Sequence, residues 1–168
     1  MTDAKLQEEL FIDFLENNKG LIVKVAGIYC YDHDERRDLI QDIILQLWRA
    51  FPKFDSAYAI STWTYRIALN VSICYLRKNT TRKKAIAAYQ HQIDFVQWDN
   101  HFIDERLRQL YQFINFLQPI EKAIILLHFD AVKNREIAEI LGLNPTNVST
   151  KLQRIKEKLS THLTTLKK

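Results

Sequence analysis

A chain of 168 residues with only 3 Gly and 3 Pro holds too few turn formers for a β-rich fold, so an all-α chain of one or two small domains is expected. It is 47% hydrophobic and 26% charged; its longest apolar runs, such as residues 123–127, are far too short to span a bilayer. The net charge of +4 is unevenly spread: residues 1–48 carry 5 basic against 10 acidic side chains, residues 49–84 carry 8 against 1, residues 85–105 none against 4, and residues 106–168 11 against 5. Two basic blocks parted by acidic ones suggest two nucleic-acid contacts on one chain; the plain alternative is charge scattered over solvated helix faces.

Leu6, Leu10, Ile12 to Phe14 and Leu15 have helical spacing, and so do Leu21, Val25, Ile28 and Tyr29 after a break expected at Asn17-Asn18-Lys19-Gly20. Residues 31–36 are polar and read as a loop. A helix from about Glu35 to Ala50 turns Ile40, Ile43, Ile44, Leu47 and Phe51 to one side. It turns Asp38, Gln41, Asp42 and Leu45 to another, more exposed side. Trp48 is expected to pack in the core, and Pro52 stops the helix.

A short aromatic loop, Phe51-Pro-Lys-Phe-Asp-Ser-Ala-Tyr58, leads to the next helix. Ser61 or Thr62 is expected to cap that helix, with Ile67, Val71 and Cys74 inward. It carries Trp63, Tyr65, Arg66, Asn70, Arg77 and Lys78, so aromatic rings interleave with cations where the chain charge reverses. That mixture suits single-stranded DNA, because rings stack on bases and cations hold phosphates. Trp63 has two open readings, a base-stacking ring or a core anchor. Cys30 and Cys74 are expected to be reduced, buried thiols.

From Asn79 to about His101 the periodicity fades, which predicts a linker at residues 80–102 between domains at 1–79 and 103–168. Helical spacing returns at Ile103, Leu107, Leu110, Tyr111 and Ile114, and Gln118-Pro119 starts another helix. Residues 134–158 predict a helix-turn-helix. Asn134 is expected to cap a short helix over 135–141; Ala138 permits close packing, and Gly142 supplies a left-handed end. Asn144 and Pro145 open the second helix, whose inward side is Val148, Leu152, Ile155 and Leu159. Its other residues, Thr146, Asn147, Ser149, Thr150, Lys151, Gln153, Arg154 and Lys156, suit a recognition helix in a major groove. The plain alternative is a helical hairpin that binds nothing.

These segments, in this order, resemble the bacterial RNA polymerase sigma factors of the extracytoplasmic-function group over nearly the whole chain. Asp38-Leu-Ile-Gln-Asp-Ile-Ile-Leu-Gln-Leu-Trp-Arg49 is similar to the family's polymerase-binding helix. Phe51-Pro-Lys-Phe-Asp55 and Ser61-Thr-Trp-Thr-Tyr-Arg-Ile-Ala68 resemble its promoter-melting segment. Leu117-Gln-Pro-Ile-Glu-Lys-Ala and Arg135-Glu-Ile-Ala-Glu-Ile-Leu-Gly142 resemble its C-terminal domain.

The resemblance implies that Asp38, Gln41, Asp42 and Leu45 grip the β′ clamp helices of core RNA polymerase, with the β subunit as a further contact. It implies that the loop over residues 54–60, with Phe54, Asp55, Ser56 and Tyr58, cups an extruded base of the minus-ten element. Trp63, Tyr65, Arg66, Asn70, Arg77 and Lys78 would handle the melted strand, and the helix-turn-helix would bind the minus-thirty-five duplex. A cytoplasmic protein held by an anti-sigma factor, without membrane insertion, is implied as well.

Some positions depart from the family pattern: Cys74 where an acidic residue is common, Leu69 where a basic one is, Ser149 and Lys151 where Lys and Arg are frequent. Ala131-Val-Lys133 replaces a turn that usually contains glycine. No cofactor or metal is expected. Cys30-Tyr-Asp-His33 has no second pair at ligand spacing, there is no phosphate loop, and no Ser/His/Asp set points to an enzyme. The rival readings are another helix-turn-helix regulator, which would bind duplex DNA alone, and a protein-binding helical adaptor, which would bind neither DNA nor core polymerase.

Overall fold

The computed structural model describes residues 2–56, 59–87 and 105–165, and among these it is all-helical. The helices are α1 (Thr2–Tyr29), α2 (His33–Ala50), α3 (Ile60–Ala87), α4 (Glu105–Phe116), α5 (Pro119–Phe129), α6 (Asn134–Leu141) and α7 (Pro145–Thr165), with a 3-10 turn at Phe51–Lys53 after α2. They form two compact units, Met1–His91 and Gln92–Lys168. The expected linker is helical over residues 80–87, where α3 runs on to Ala87. Its remainder at 88–102, with Ile103 and Tyr58, lies outside the described residues.

In the first unit α1, α2 and α3 pack on one another. The break expected in α1 does not occur. Asn17 and Asn18 donate their side-chain amides to the carbonyls of Asp13 at 2.8 Å and Phe14 at 2.9 Å, four residues back, so the helical turn continues. The apolar stripe carries through it, from buried Phe11 and Phe14 to Ile22, Val25, Ala26 and Tyr29.

α2 starts earlier than expected, because the Asp32 carboxylate accepts from the amides of Asp34 at 3.0 Å and Glu35 at 2.9 Å. Its inward stripe is Leu39, Ile43 and Leu47, all fully enclosed. Ile40, Ile44 and Phe51 are half-buried flanks rather than the centre of the face.

α3 is also turned relative to expectation. Its buried side is Thr64, Tyr65, Ala68, Leu69, Ser72 and Ile73, while Ile67 and Val71 are half-buried and Cys74 is exposed. Thr64, Ala68 and Ser72 form a seam of small residues at four-residue spacing, which lets the helix approach its neighbours closely. Thr64 spends its hydroxyl proton on the carbonyl of Ile60 at 2.7 Å and so enters the core satisfied. Neither Ser61 nor Thr62 caps the helix; the carbonyl of Ala59 accepts its first bond, from the Trp63 amide at 3.1 Å.

A polar knot joins the three helices. The Tyr75 hydroxyl donates to Glu35 Oε2 at 2.7 Å and lies 3.2 Å from Cys30 Sγ. Burial pushes the Cys30 thiol up from its ordinary range, so it stays a protonated, buried thiol.

In the second unit, residues 122–127 of α5 are all buried. Glu121 closes the start of α5 by accepting from the Gln118 amide at 3.0 Å. It also pairs with Lys158 of α7, Nζ to Oε1 at 2.9 Å.

Two helix ends use one motif. After α5, Ala131 at φ 59° puts the Val132 amide on the Leu127 carbonyl at 3.0 Å. After α6, Gly142 at φ 65° puts the Leu143 amide on the Ala138 carbonyl at 2.8 Å.

Candidate nucleic-acid interface

With Leu39, Ile43 and Leu47 inward, helical periodicity sends Asp38, Gln41, Asp42 and Leu45 to solvent, and all four are exposed. Trp48 is 37% exposed, which corrects its expected place in the core. It stands one turn beyond Leu45, itself 44% exposed, and extends the same acid-rimmed apolar face. The three-residue spacing from Leu45 was the available signal for it.

Trp48 meets Phe11 edge-on, ring centroids 4.9 Å apart, at the border of an aromatic cluster. Phe14, Phe51, Phe54 and Trp63 continue that cluster. Trp63 is half-buried and touches Phe14 at 5.7 Å and Phe54 at 5.1 Å, both edge-on. The loop after α2 is therefore held through Phe54, itself half-buried, while Asp55 and Ser56 stay exposed.

Tyr65 does not belong on the surface. It is 7% exposed, and Lys24 Nζ donates to its hydroxyl at 3.2 Å while lying 5.8 Å from the ring centroid. Its helical register matches Leu69 and Ser72 rather than the outer side, so its ring is buried rather than presented to solvent. Arg66, Asn70, Arg77 and Lys78 are exposed on the same helix.

An open groove of about 550 Å³ runs between α2 and α3, lined among others by Asp42, Gln46, Asn70, Cys74 and Lys78. Asp42 and, from the other helix, Asn70 and Lys78 line the same groove, residues that the family resemblance would assign to two different partners. Cys74, expected inward, opens onto this groove.

In the second unit, Ala138 is 2% exposed where α6 and α7 meet. The Asn144 side chain accepts from the Thr146 amide at 2.9 Å and opens α7, with Pro145 as its first residue. Val148, Leu152 and Ile155 are buried. Thr146, Asn147, Ser149, Thr150, Gln153, Arg154 and Lys156 are exposed, and Lys151 is half-buried. Asn134 is not the cap of α6. Lys133 takes that place, and Asn134 begins the helix with its amide turned to Ser149.

Among the described residues no group of three or more His, Cys, Asp or Glu is placed to hold a metal, and no helix is long and apolar enough to cross a membrane.

Two family models match the chain, Sigma-70 region 2 over residues 14–82 and Sigma-70 region 4 over residues 107–159. RNA polymerase sigma factor SigV of Bacillus subtilis is 26% identical over 167 residues, covering 98% of this chain and 97% of that protein. The ECF RNA polymerase sigma-E factor of Escherichia coli is 28% identical over 132 residues, covering 71% and 69%. Among solved structures, the sigma factor RpoE in complex with the anti-sigma factor NepR from Bartonella quintana superposes with a TM-score of 0.74 at 19% identity, over 92% of this chain and 96% of that one. CnrH in complex with the cytosolic domain of CnrY superposes with a TM-score of 0.66 at 19% identity, over 94% and 90%. The chain therefore belongs to the extracytoplasmic-function group of sigma-70 factors, the proteins that direct RNA polymerase to its promoters.

Proposed function

We propose a division of this work among three surfaces. The exposed face of α2, with Asp38, Gln41, Asp42, Leu45 and Trp48, docks on the clamp helices of the β′ subunit. The loop carrying Phe54, Asp55 and Ser56 receives an extruded minus-ten base, while Arg66, Asn70, Arg77 and Lys78 hold the melted strand. Trp63 keeps its place in this set as the brace of the loop through Phe54, and Tyr65 leaves it. The outer side of α7 enters the major groove of the minus-thirty-five duplex.

The observation that carries this reading is the sidedness of α7. Its buried residues Val148, Leu152 and Ile155 leave Thr146, Asn147, Ser149, Thr150, Gln153 and Arg154 together on the opposite, solvent side. Chemistry stays with the polymerase, and the chain supplies no catalytic residue, metal or cofactor. An anti-sigma factor is a further partner in this reading, as one is for RpoE.

The test is run-off transcription with core polymerase on genomic promoter fragments, with permanganate footprinting of the minus-ten element. Trp63→Ala is expected to reduce permanganate reactivity while closed-complex formation persists. An effect of Arg154→Ala confined to promoter opening would contradict the assignment of α7.

A further inference from the structure

Aromatic rings from α1, α2, α3 and the loop before α3 form one continuous cluster whose two ends belong to different surfaces. At one end Trp48 stands in the face proposed for the polymerase clamp, and its ring packs edge-on against Phe11 at 4.9 Å. Phe11 meets Phe51 at 5.2 Å, and Phe51 meets Phe14 at 5.5 Å. Phe14 meets Trp63 at 5.7 Å, and Trp63 meets Phe54 at 5.1 Å. Phe54 is the other end, in the loop proposed to receive the minus-ten base. The backbone makes the same link by a shorter path. The Phe51 amide donates to the Leu47 carbonyl at the end of α2, and the Phe51 carbonyl accepts from the Phe54 amide at 3.0 Å.

Burial differs along this path. Phe11 and Phe14 are buried in the middle, Phe51, Phe54 and Trp63 are half-buried, and Trp48 is 37% exposed. Protein interiors are packed as densely as organic crystals, so an enclosed ring passes a displacement to its neighbour rather than absorbing it. Trp48 is held on its Phe11 side and open on the other. A partner that covers the open side presses the ring onto Phe11. The far end of the cluster opens on exposed Asp55 and Ser56, where a shift of Phe54 moves the loop.

We propose that this cluster couples the two surfaces, with Trp48 as a positioning residue for the minus-ten loop and Phe51 as the ring that carries its effect across. The coupling rests on the assignments of α2 to the polymerase and of the Phe54 loop to the extruded base. Docking on Trp48 sets Phe54 for base capture, and by thermodynamic reciprocity a disturbed loop weakens docking. Lys78 lies outside the coupling. It stands fifteen residues along α3 from Trp63, about 22 Å at the helical rise and beyond the reach over which substitutions interact.

The test uses the full chain with core polymerase and a promoter found by run-off transcription. Core affinity is measured without DNA, minus-ten opening by permanganate reactivity at core concentrations that saturate each variant, and folding by denaturant unfolding. Trp48→Ala is expected to lower opening roughly fivefold even when every chain is docked, the worth of one aromatic pair. Phe54→Ala should weaken core affinity by a similar factor, although no base is there for the loop to capture. In the chain carrying both substitutions, opening should fall by less than the product of the two single losses, whereas the losses from Trp48→Ala and Lys78→Ala should multiply. Phe51→Ala should show both losses, and Phe51→Tyr, which keeps the ring, should show neither. Full opening by docked Trp48→Ala would overturn the proposal, as would losses that simply multiply between Trp48→Ala and Phe54→Ala. Should Trp48→Ala fail to fold, Phe54→Ala decides alone, and an unchanged core affinity overturns the coupling. Trp48→Ala with unchanged core affinity, or Phe54→Ala with unchanged opening, removes that residue from its proposed surface and the coupling with it.

Discussion

Helix α2 buries Leu39, Ile43 and Leu47, and α7 buries Val148, Leu152 and Ile155. Both stripes step by three or four residues, so both helices are fixed by one narrow apolar seam and leave most of their surface to solvent. What they do with that surface differs. α2 presents Asp38 and Asp42 around Leu45 and Trp48, an acidic rim about an apolar centre, as a protein interface requires. α7 presents hydroxyls and amides with Arg154 and Lys156 and has no large apolar centre, as a polar, phosphate-lined groove requires. Packing decides which residues face outward, and in the proposed reading the chemistry of those residues selects the partner.

The largest effect should come from attacking the seams themselves. Leu39→Ala and Ile155→Ala are each expected to cost about 2–5 kcal/mol in denaturant unfolding, because a fully enclosed aliphatic side chain leaves a cavity behind. A loss below about 1 kcal/mol in either would show that the stripe is not the anchor. Next come the outward faces. Arg154→Ala should weaken minus-thirty-five binding by about 1–3 kcal/mol with unfolding unchanged. Asp42→Lys should weaken core polymerase binding about tenfold, more so at low salt. If the two variants exchanged phenotypes, the contrast between the helices would be wrong.

Smaller effects concern the two matched helix ends. A left-handed conformation costs an alanine about 1–2 kcal/mol, and the extra freedom of a glycine in the unfolded chain offsets about 0.4–1 of that. Ala131→Gly should therefore stabilise by about 0.5–1 kcal/mol, and Gly142→Ala should destabilise by a similar amount. The smallest effect is expected at Glu121. Burial raises its carboxyl, but the Lys158 ammonium and the Gln118 amide outweigh burial, and the net shift is downward. A lowered folded value means that the stabilisation is full above the ordinary value of 4.5 and is lost as pH falls below it. Lys158→Ala should flatten that acid limb of the stability profile.

The helix-turn-helix was legible apart from the cap of α6, where Lys133 stands in place of Asn134, because its signals are local. Gly142, Asn144 and Pro145 act on the backbone beside them, and Val148, Leu152 and Ile155 follow a single period. The first unit was legible in its exposed acidic face and less so in its core. Reading large apolar residues as inward misses Thr64, Ala68 and Ser72, whose contribution is closeness of approach rather than area. That same seam turns Cys74 and the outer residues of α3 toward the groove and draws Tyr65 inside.

The sequence by itself determined the helical class, the order of the segments, the charge of each outward face and the family, because composition, periodicity and motif spacing are properties of the chain. Only the tertiary structure decided that α1 runs unbroken through Asn17 and Gly20, that Trp48 is exposed at the edge of the cluster while Trp63 is half-buried within it, and that the amide of Asn134 reaches Ser149. Each of these depends on which neighbour lies within bonding or packing distance, a relation between residues far apart in sequence for Trp48, Trp63 and Ser149, and one of continuous packing along the helix for α1.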